Sequence, residues 1–268
     1  MSKTAHFFIF DVDGVITNPH NSAFSPAVVA IIRSLLAEGN LVGINTGRSY
    51  AWLQEHLLGH LLEGMDQAGQ SHLAIACQKG GELITWSHGS TIPAQSPFAL
   101  TPAQYNLAKQ IFFDHDHEFK TMFWDTSKTT MATIEKRPDV PLAKYHQEQK
   151  VLADILVEAF AASNEKVKVD CTTISTDIES VAAGKYAGSR LLHEWSATKP
   201  MIVTGRTCFG DSASDYAMAQ FFSEQAIPVT FVFVGKESEE LPQHDQVTII
   251  RPGKIYEDGT LAFLRDLQ

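Results

Sequence analysis

The sequence predicts an α/β protein in which a mostly parallel sheet, with helices on both faces, is interrupted by an inserted α+β domain. Short apolar runs alternate with helical patterns from residue 1 to about 85, as in strand–helix units stacked on a parallel sheet. The order then changes to helices and hairpins over 86–184, and the first pattern returns over 185–268. The predicted domains are therefore a core made of 1–85 with 185–268, and an insert of 86–184.

The elements follow from local pattern. Residues 7–10, Phe-Phe-Ile-Phe, form a continuous apolar run, as expected of a strand buried on both faces. Ser25 suits a helix cap and Pro26 the first helical position. Val28, Ile31, Ile32, Leu35 and Leu36 then make one apolar face, and Gly39 ends it. Residues 41–44 read as a strand, 49 to about 62 as a helix, and 73–77 as a strand closing at Gly80 and Gly81. In the insert, Thr101, Pro102 and Gln104 form a capping box that opens a helix to about 113. A hairpin over 119–125 and 129–135 follows, then a helix over about 142–162 and strands near 166–170 and 173–178. Beyond it come a helix over 185–195, a strand at 207–209, a helix over 212–222, and strands at 229–234 and 247–250.

Composition excludes several classes. The 268 residues hold 21 Lys+Arg against 31 Asp+Glu, a net charge of −10, which is the wrong sign for a nucleic-acid partner. With 44% hydrophobic and 19% charged residues the chain has the composition of a folded domain and not of a disordered one. No apolar run approaches the roughly 18 residues of a membrane span. Residues 1–10 lack the apolar stretch and cleavage site of a secretory leader. Cys77, Cys171 and Cys208 are odd in number and dispersed, so they read as reduced thiols in a cytoplasmic protein.

In parallel sheets, ligands bind beyond the carboxyl ends of the strands. Asp11 and Asp13 follow the first apolar run, Thr46, Gly47 and Arg48 the second, and Gly210, Asp211 and Asp215 the strand of the returning core. Carboxylates this close repel unless a cation or a shared proton offsets them. An all-oxygen pocket of this kind suits Mg²⁺ with a substrate phosphate. Taken singly, Asp-Val-Asp-Gly is also a common turn and Gly-Asp-Ser-Ala-Ser-Asp a good helix start. Their coincidence at successive strand ends favours a site. There is no calcium loop at Asp11, no phosphate-binding Walker loop and no G-x-G-x-x-G. The run Asp114-His-Asp-His-Glu118 reads as a solvated loop, and His56 and His60 as structural.

The combination Phe-Ile-Phe-Asp11-Val-Asp13-Gly, Ile-Asn-Thr46-Gly-Arg48, Lys185 and Phe-Gly210-Asp211-Ser-Ala-Ser-Asp215 resembles the four motifs of the haloacid dehalogenase superfamily. The insert resembles the large α/β cap of its Cof-type and sugar-phosphate phosphatases, and the tail Tyr256-Glu-Asp-Gly-Thr-Leu is similar to theirs. The resemblance implies a Rossmann-like core with a cap. Asp11 would be the nucleophile and Asp13 the acid and base. Thr46 and the Gly47 N–H would hold the phosphoryl group, with Arg48 reaching the substrate. Mg²⁺ would sit among Asp11, the Asp13 carbonyl and Asp211, with Asp215 supporting it. A protein of this negative charge needs local positive charge to receive a phosphate. Lys185, at the start of a helix, is the expected lysine and Lys199, beside Pro200, its rival. Ser214, Tyr186 and Lys79-Gly80-Gly81 depart from the usual Asn, Gly and Asn-Gly-Ala. The implied activity is that of a Mg²⁺-dependent phosphatase of a small phosphorylated metabolite, a sugar phosphate first among these. The alternatives are a phosphomutase and a non-catalytic sugar-phosphate-binding regulator. Trp86, Trp124, Lys136, Arg137, Asp177 and Glu179 are candidate substrate contacts from the cap, and nothing in the sequence sets the oligomeric state.

Overall fold

The computed structural model describes residues 3–21 and 23–267; Met1, at the head of the segment read as lacking a leader, lies outside them. The chain runs from β1 (Lys3–Phe10) through α1 (Pro26–Ala37) to β2 (Leu41–Asn45). Ser25 caps α1 and Pro26 begins it, as predicted. The helix predicted over 49–62 is broken into α2 (Tyr50–Leu53), a π-helical turn at Gln54–Leu58 and α3 (Gly59–Leu62). Then come α4 (Gln67–Ser71), capped by Asp66, and β3 (Leu73–Cys77). Next, β4 (Glu82–Ser87) and β5 (Ser90–Gln95) form a hairpin about His88 and Gly89, both with positive φ.

The middle of the chain holds α5 (Pro102–Asp114), β6 (Met122–Trp124), β7 (Ala132–Lys136), α6 (Leu142–Ala162), β8 (Val167–Cys171) and β9 (Ser175–Ser180). The capping box of α5 is formed in both directions by Thr101 and Gln104. The chain ends with α7 (Lys185–Ala197), β10 (Met201–Gly210), a 3₁₀ turn at Ala213–Tyr216, α8 (Ala217–Glu224), β11 (Val229–Phe233), β12 (Val247–Ile250) and α9 (Tyr256–Asp266).

Two compact units result, one made of 1–94 with 184–268 and the other of 95–183. The first boundary therefore falls after 94 and not after 85, because β4 pairs antiparallel with β3 and the hairpin extends the large sheet.

In the first unit the strand order is β12-β11-β10-β1-β2-β3-β4-β5, parallel from β12 to β3. Alternate residues of β1 serve opposite faces. Phe8 and Phe10 pack with α1, the 50–62 segment and α9, whereas Phe7 and Ile9 pack with α7 and α8. From β1 the chain builds outward through β2 and β3 on one side and, after the insert, through β10, β11 and β12 on the other. The order thus reverses between β1 and β10, the kind of position where an open α/β sheet leaves a crevice for ligands. β10 is longer than its predicted 207–209 because it pairs along the whole of β1, with one register slip between Ala5 and His6.

The second unit is an antiparallel sheet in the order β6-β7-β9-β8. One face carries Met122, Trp124, Ala132, Ile134 and Ile178 against Phe112 of α5 and Leu152, Leu156 and Phe160 of α6. The other face is polar. Among the described residues no helix is long and apolar enough to cross a membrane.

Candidate active site

The site forms where β1 and β10 end. Asp11 continues the ladder by donating its N–H to the Phe209 carbonyl (3.1 Å), which sets its side chain beside the loop that follows β10. That loop carries Asp211 and Asp215. Asp11, Asp211 and Asp215 each present a carboxylate oxygen, and these oxygens all lie within 4.8 Å of one another. The approach requires Gly14. Its φ is +73°, and a Cβ there would stand 2.2 Å from Asp211 Oδ2.

The Lys185 side chain enters the cluster from the first turn of α7. Its Nζ contacts Asp11 Oδ1 at 2.5 Å and Asp215 Oδ1 at 2.8 Å, and donates to the Asn45 carbonyl at 2.8 Å. Asn45, at the end of β2, answers by donating Nδ2 to the Lys185 carbonyl (2.8 Å) and to Ser189 Oγ (3.3 Å). Only 14% of the lysine side chain and 2% of the Asp215 side chain are exposed, so each charge depends on the other. Lys199 lies elsewhere, at the far end of α7 with its Nζ over the Trp195 ring (4.7 Å).

Electrostatics divide the three acids. Burial holds the Asp11 carboxyl well above its ordinary range; Lys185 works against this, and Asp215 and Asp13 reinforce it. Burial, with Asp215 adding to it, pushes Asp211 up to about 7. Burial acts on Asp215 too, but Lys185 and hydrogen bonds from Ser212 outweigh it and keep the carboxyl low. Asp215 Oδ2 accepts from the backbone N–H groups of Asp211 (3.2 Å) and Ser212 (3.1 Å) and from Ser212 Oγ (2.7 Å). Lys185 is raised because its two carboxylates overcome its burial. A divalent cation among these oxygens would favour the charged forms that burial opposes. Asp11 and Asp211 fit as its oxygen ligands. Asp215, with both oxygens already engaged, fits a supporting place.

The remaining expected residues gather beside this cluster. Thr46 is fully buried, and its Oγ1 accepts the Arg48 N–H (3.1 Å), which leaves the hydroxyl proton to donate elsewhere. The Asp13 side chain does not join the metal-type group. Arg48 forks onto it, Nε to Oδ2 at 3.0 Å and Nη2 to Oδ1 at 2.7 Å, while its guanidinium lies over Trp52 at 4.4 Å. The chain turns after Val12, whose carbonyl accepts three backbone N–H groups. The Arg48–Asp13 pair is half-exposed, and such pairs contribute at most about 1 kcal/mol.

Several expected contacts take other positions. Trp86 is buried in the core of the first unit and Trp124 in that of the second. Lys136 Nζ is spent on the carbonyls of Arg137, Pro138 and Val140. Asp177 and Glu179 are on the polar sheet face, where Thr133 donates to Asp177 (2.9 Å) and Lys168 to Glu179 (3.2 Å). Ser214 bonds Ser212 (2.8 Å) rather than the acids. In the tail, Glu257 accepts from Asn18 (2.7 Å), a tie across the first unit. Sequence reasoning missed Asn45 and Ser212, which position Lys185 and Asp215; their only signal was adjacency to the motifs.

Residues 78–80, after β3, form a tight turn in which Gln78 and Lys79 have φ of 51° and 57°. Left-handed backbone at residues with side chains costs about 1–3 kcal/mol each.

This architecture is that of the haloacid dehalogenase-like hydrolase fold. The chain is similar over 98% of its length to a haloacid dehalogenase-like hydrolase from Bacteroides thetaiotaomicron, covering 100% of it with a TM-score of 0.62 and 14% identity. It is also similar to the C-terminal domain of Candida albicans trehalose-6-phosphate phosphatase (98% and 93% covered, TM-score 0.66, 16% identity). A third similar structure is the sucrose-phosphatase of a Synechocystis species, solved with sucrose and phosphate (98% and 98% covered, TM-score 0.54, 13% identity). No family model matches the sequence, and no curated protein matches it.

Proposed function

We propose that the protein is a Mg²⁺-dependent phosphatase of a small phosphorylated metabolite, a sugar phosphate by preference, working through an aspartyl-phosphate. The observation that carries this reading is the meeting of Asp11, Asp211 and Asp215 with Lys185 at the ends of β1 and β10. The fold supports it, as do two similar structures that are phosphatases named for sugar-phosphate substrates. Three free cysteines support a reducing, cytoplasmic setting.

An Asp11 oxygen attacks phosphorus, the bond from phosphorus to the substrate oxygen breaks, and the leaving oxygen takes up a proton. Water then attacks the same phosphorus, gives up a proton, and releases phosphate and the Asp11 carboxylate. In this reading Asp13 handles both protons. In the state described here, however, both its oxygens accept from Arg48, so the fork must open for Asp13 to act. Lys185 aligns Asp11 and offsets its charge. The Thr46 hydroxyl and the Gly47 N–H hold phosphoryl oxygens. Asp11 and Asp211, with the Asp13 carbonyl, would hold Mg²⁺, which would supply positive charge to offset the carboxylates as a phosphate dianion approaches. Selection of the substrate's alcohol portion is the part proposed for the 95–183 unit.

A panel of sugar phosphates, with and without Mg²⁺, tests the reading on the native protein and Asp11→Asn. Hydrolysis by the native chain alone, and only with metal, is expected. Turnover persisting in Asp11→Asn rules out the covalent route. Transfer of phosphate to a second sugar in place of water would mark a phosphomutase, and tight binding without turnover a regulator.

A further inference from the structure

Lys79 has no part in the chemistry above, yet the backbone bends unfavourably to hold it. Gln78, Lys79 and Gly80 have φ of 51°, 57° and 85°, three successive left-handed residues. Such strain persists only where the surroundings over-determine it, and it collects at functional sites. Here the Gln78 N–H donates to the Arg48 carbonyl (3.0 Å), the Lys79 N–H to the Thr46 carbonyl (3.0 Å), and the Gly184 N–H to the Lys79 carbonyl (2.7 Å). The turn is thereby fastened both to the Thr46–Arg48 loop and to the residue that precedes Lys185.

The bend lays Lys79 across Gly47. A Cβ built on Gly47 would lie 3.7 Å from Lys79 Cγ and 3.9 Å from its Cε. The lysine stem therefore runs beside Gly47, the residue whose N–H is proposed to receive a phosphoryl oxygen. Charge balance points the same way: a dianion entering beside Asp11, Asp211 and Asp215 is favoured by each further cation brought near Gly47.

We propose that Lys79 is a substrate-binding residue whose ammonium grips the phosphoryl oxygen lodged at Gly47. The ligand class is the phosphate dianion, as a phosphomonoester or as inorganic phosphate. The proposal rests on the phosphatase reading for the position of that group. The left-handed turn fixes the lysine stem against Gly47, so little side-chain freedom is lost on binding.

Lys79→Gly separates binding from folding, because glycine adopts the left-handed backbone without strain and leaves all three hydrogen bonds in place. Calorimetric titration of the full chain with inorganic phosphate, in the presence of Mg²⁺, is the measurement. The variant is expected to bind about tenfold more weakly or worse, the size of a lost charge-assisted hydrogen bond, with an unchanged or higher Tm. Lys79→Asn, which also tolerates left-handed backbone, should show the same loss. Lys79→Arg should recover binding to within about threefold, since a second cation of similar reach replaces the first. Equal phosphate affinity in native protein and Lys79→Gly overturns the proposal and leaves the phosphatase reading standing. A lowered Tm in both Lys79→Gly and Lys79→Asn overturns it by assigning the residue to the fold. A native chain that binds no phosphate and hydrolyses no phosphomonoester overturns both readings together.

Discussion

Asp211 is the residue through which the proposed cation site and folding are most directly linked. Its folded carboxyl titrates at about 7, against an ordinary 3.8, because burial and neighbouring carboxylates disfavour its charge. A raised folded value means that the group's contribution to stability is complete below about 4 and is lost as the pH climbs through about 7. Metal-free protein should therefore gain thermal stability from Asp211→Asn, with no gain near about pH 4 and the largest gain above about pH 7. Added Mg²⁺ should raise the Tm of the native chain and leave that of the variant nearly unchanged, because only a state-selective ligand shifts the folding equilibrium. Melting curves across this pH range, with and without Mg²⁺, check both statements. A variant less stable than native at every pH would show that the Asp211 charge supports the fold by itself. The motif acids were legible in the sequence because hard-oxygen chemistry concentrates aspartates at strand ends. The Arg48 fork was not, since which partner a guanidinium chooses depends on how the chain turns after Val12.

Among the elements, α7 does the most to assemble the site, and its fit to β2 is tight. A Cβ on Gly188 would fall 2.1 Å from Asn45 Oδ1, so the glycine lets the helix approach closely enough for Asn45 and Lys185 to exchange hydrogen bonds. Gly188→Ala should cost about 1–3 kcal/mol, as overpacking does, and should lower kcat with it by moving Lys185 off Asp11. Chemical denaturation paired with kinetics reads the two effects. Normal stability and activity would mean that Asn45 can move aside without consequence. The strands over 73–77 and 247–250 and the helix over 142–162 were readable from apolar runs and helical periodicity. Others were hidden by physical causes. The first half of β10, with Thr204, Gly205 and Arg206, is partly exposed and alternates in no simple way, so only its apolar end stood out. The hairpin of β4 and β5 did carry a signal, His88-Gly89 between strand-like runs, since a two-residue hairpin turn demands positive φ at both positions. The break at Gln54–Leu58 left no mark, because its leucines suit a continuous helix equally well.

At the scale of the whole molecule, the two units carry separate hydrophobic cores, and residues 95–183 form one unbroken stretch of chain. A contiguous segment of this length with its own packed sheet and helices meets the usual conditions for independent folding. The excised 95–183 fragment should show cooperative thermal unfolding by circular dichroism that is insensitive to Mg²⁺. A disordered fragment would mean that its core depends on the flanking chain. The discontinuity of the other unit has a further effect during synthesis. β1 emerges early from the ribosome, and β2 covers one of its edges within a few dozen residues, but its other neighbour, β10, is translated only after the whole insertion. Until then Asp11 has neither Lys185 nor Asp211 and Asp215 beside it, and one side of the central strand waits unpaired. The acidic cluster is thus withheld from any chain that stops short of β10 by the order in which its parts are made.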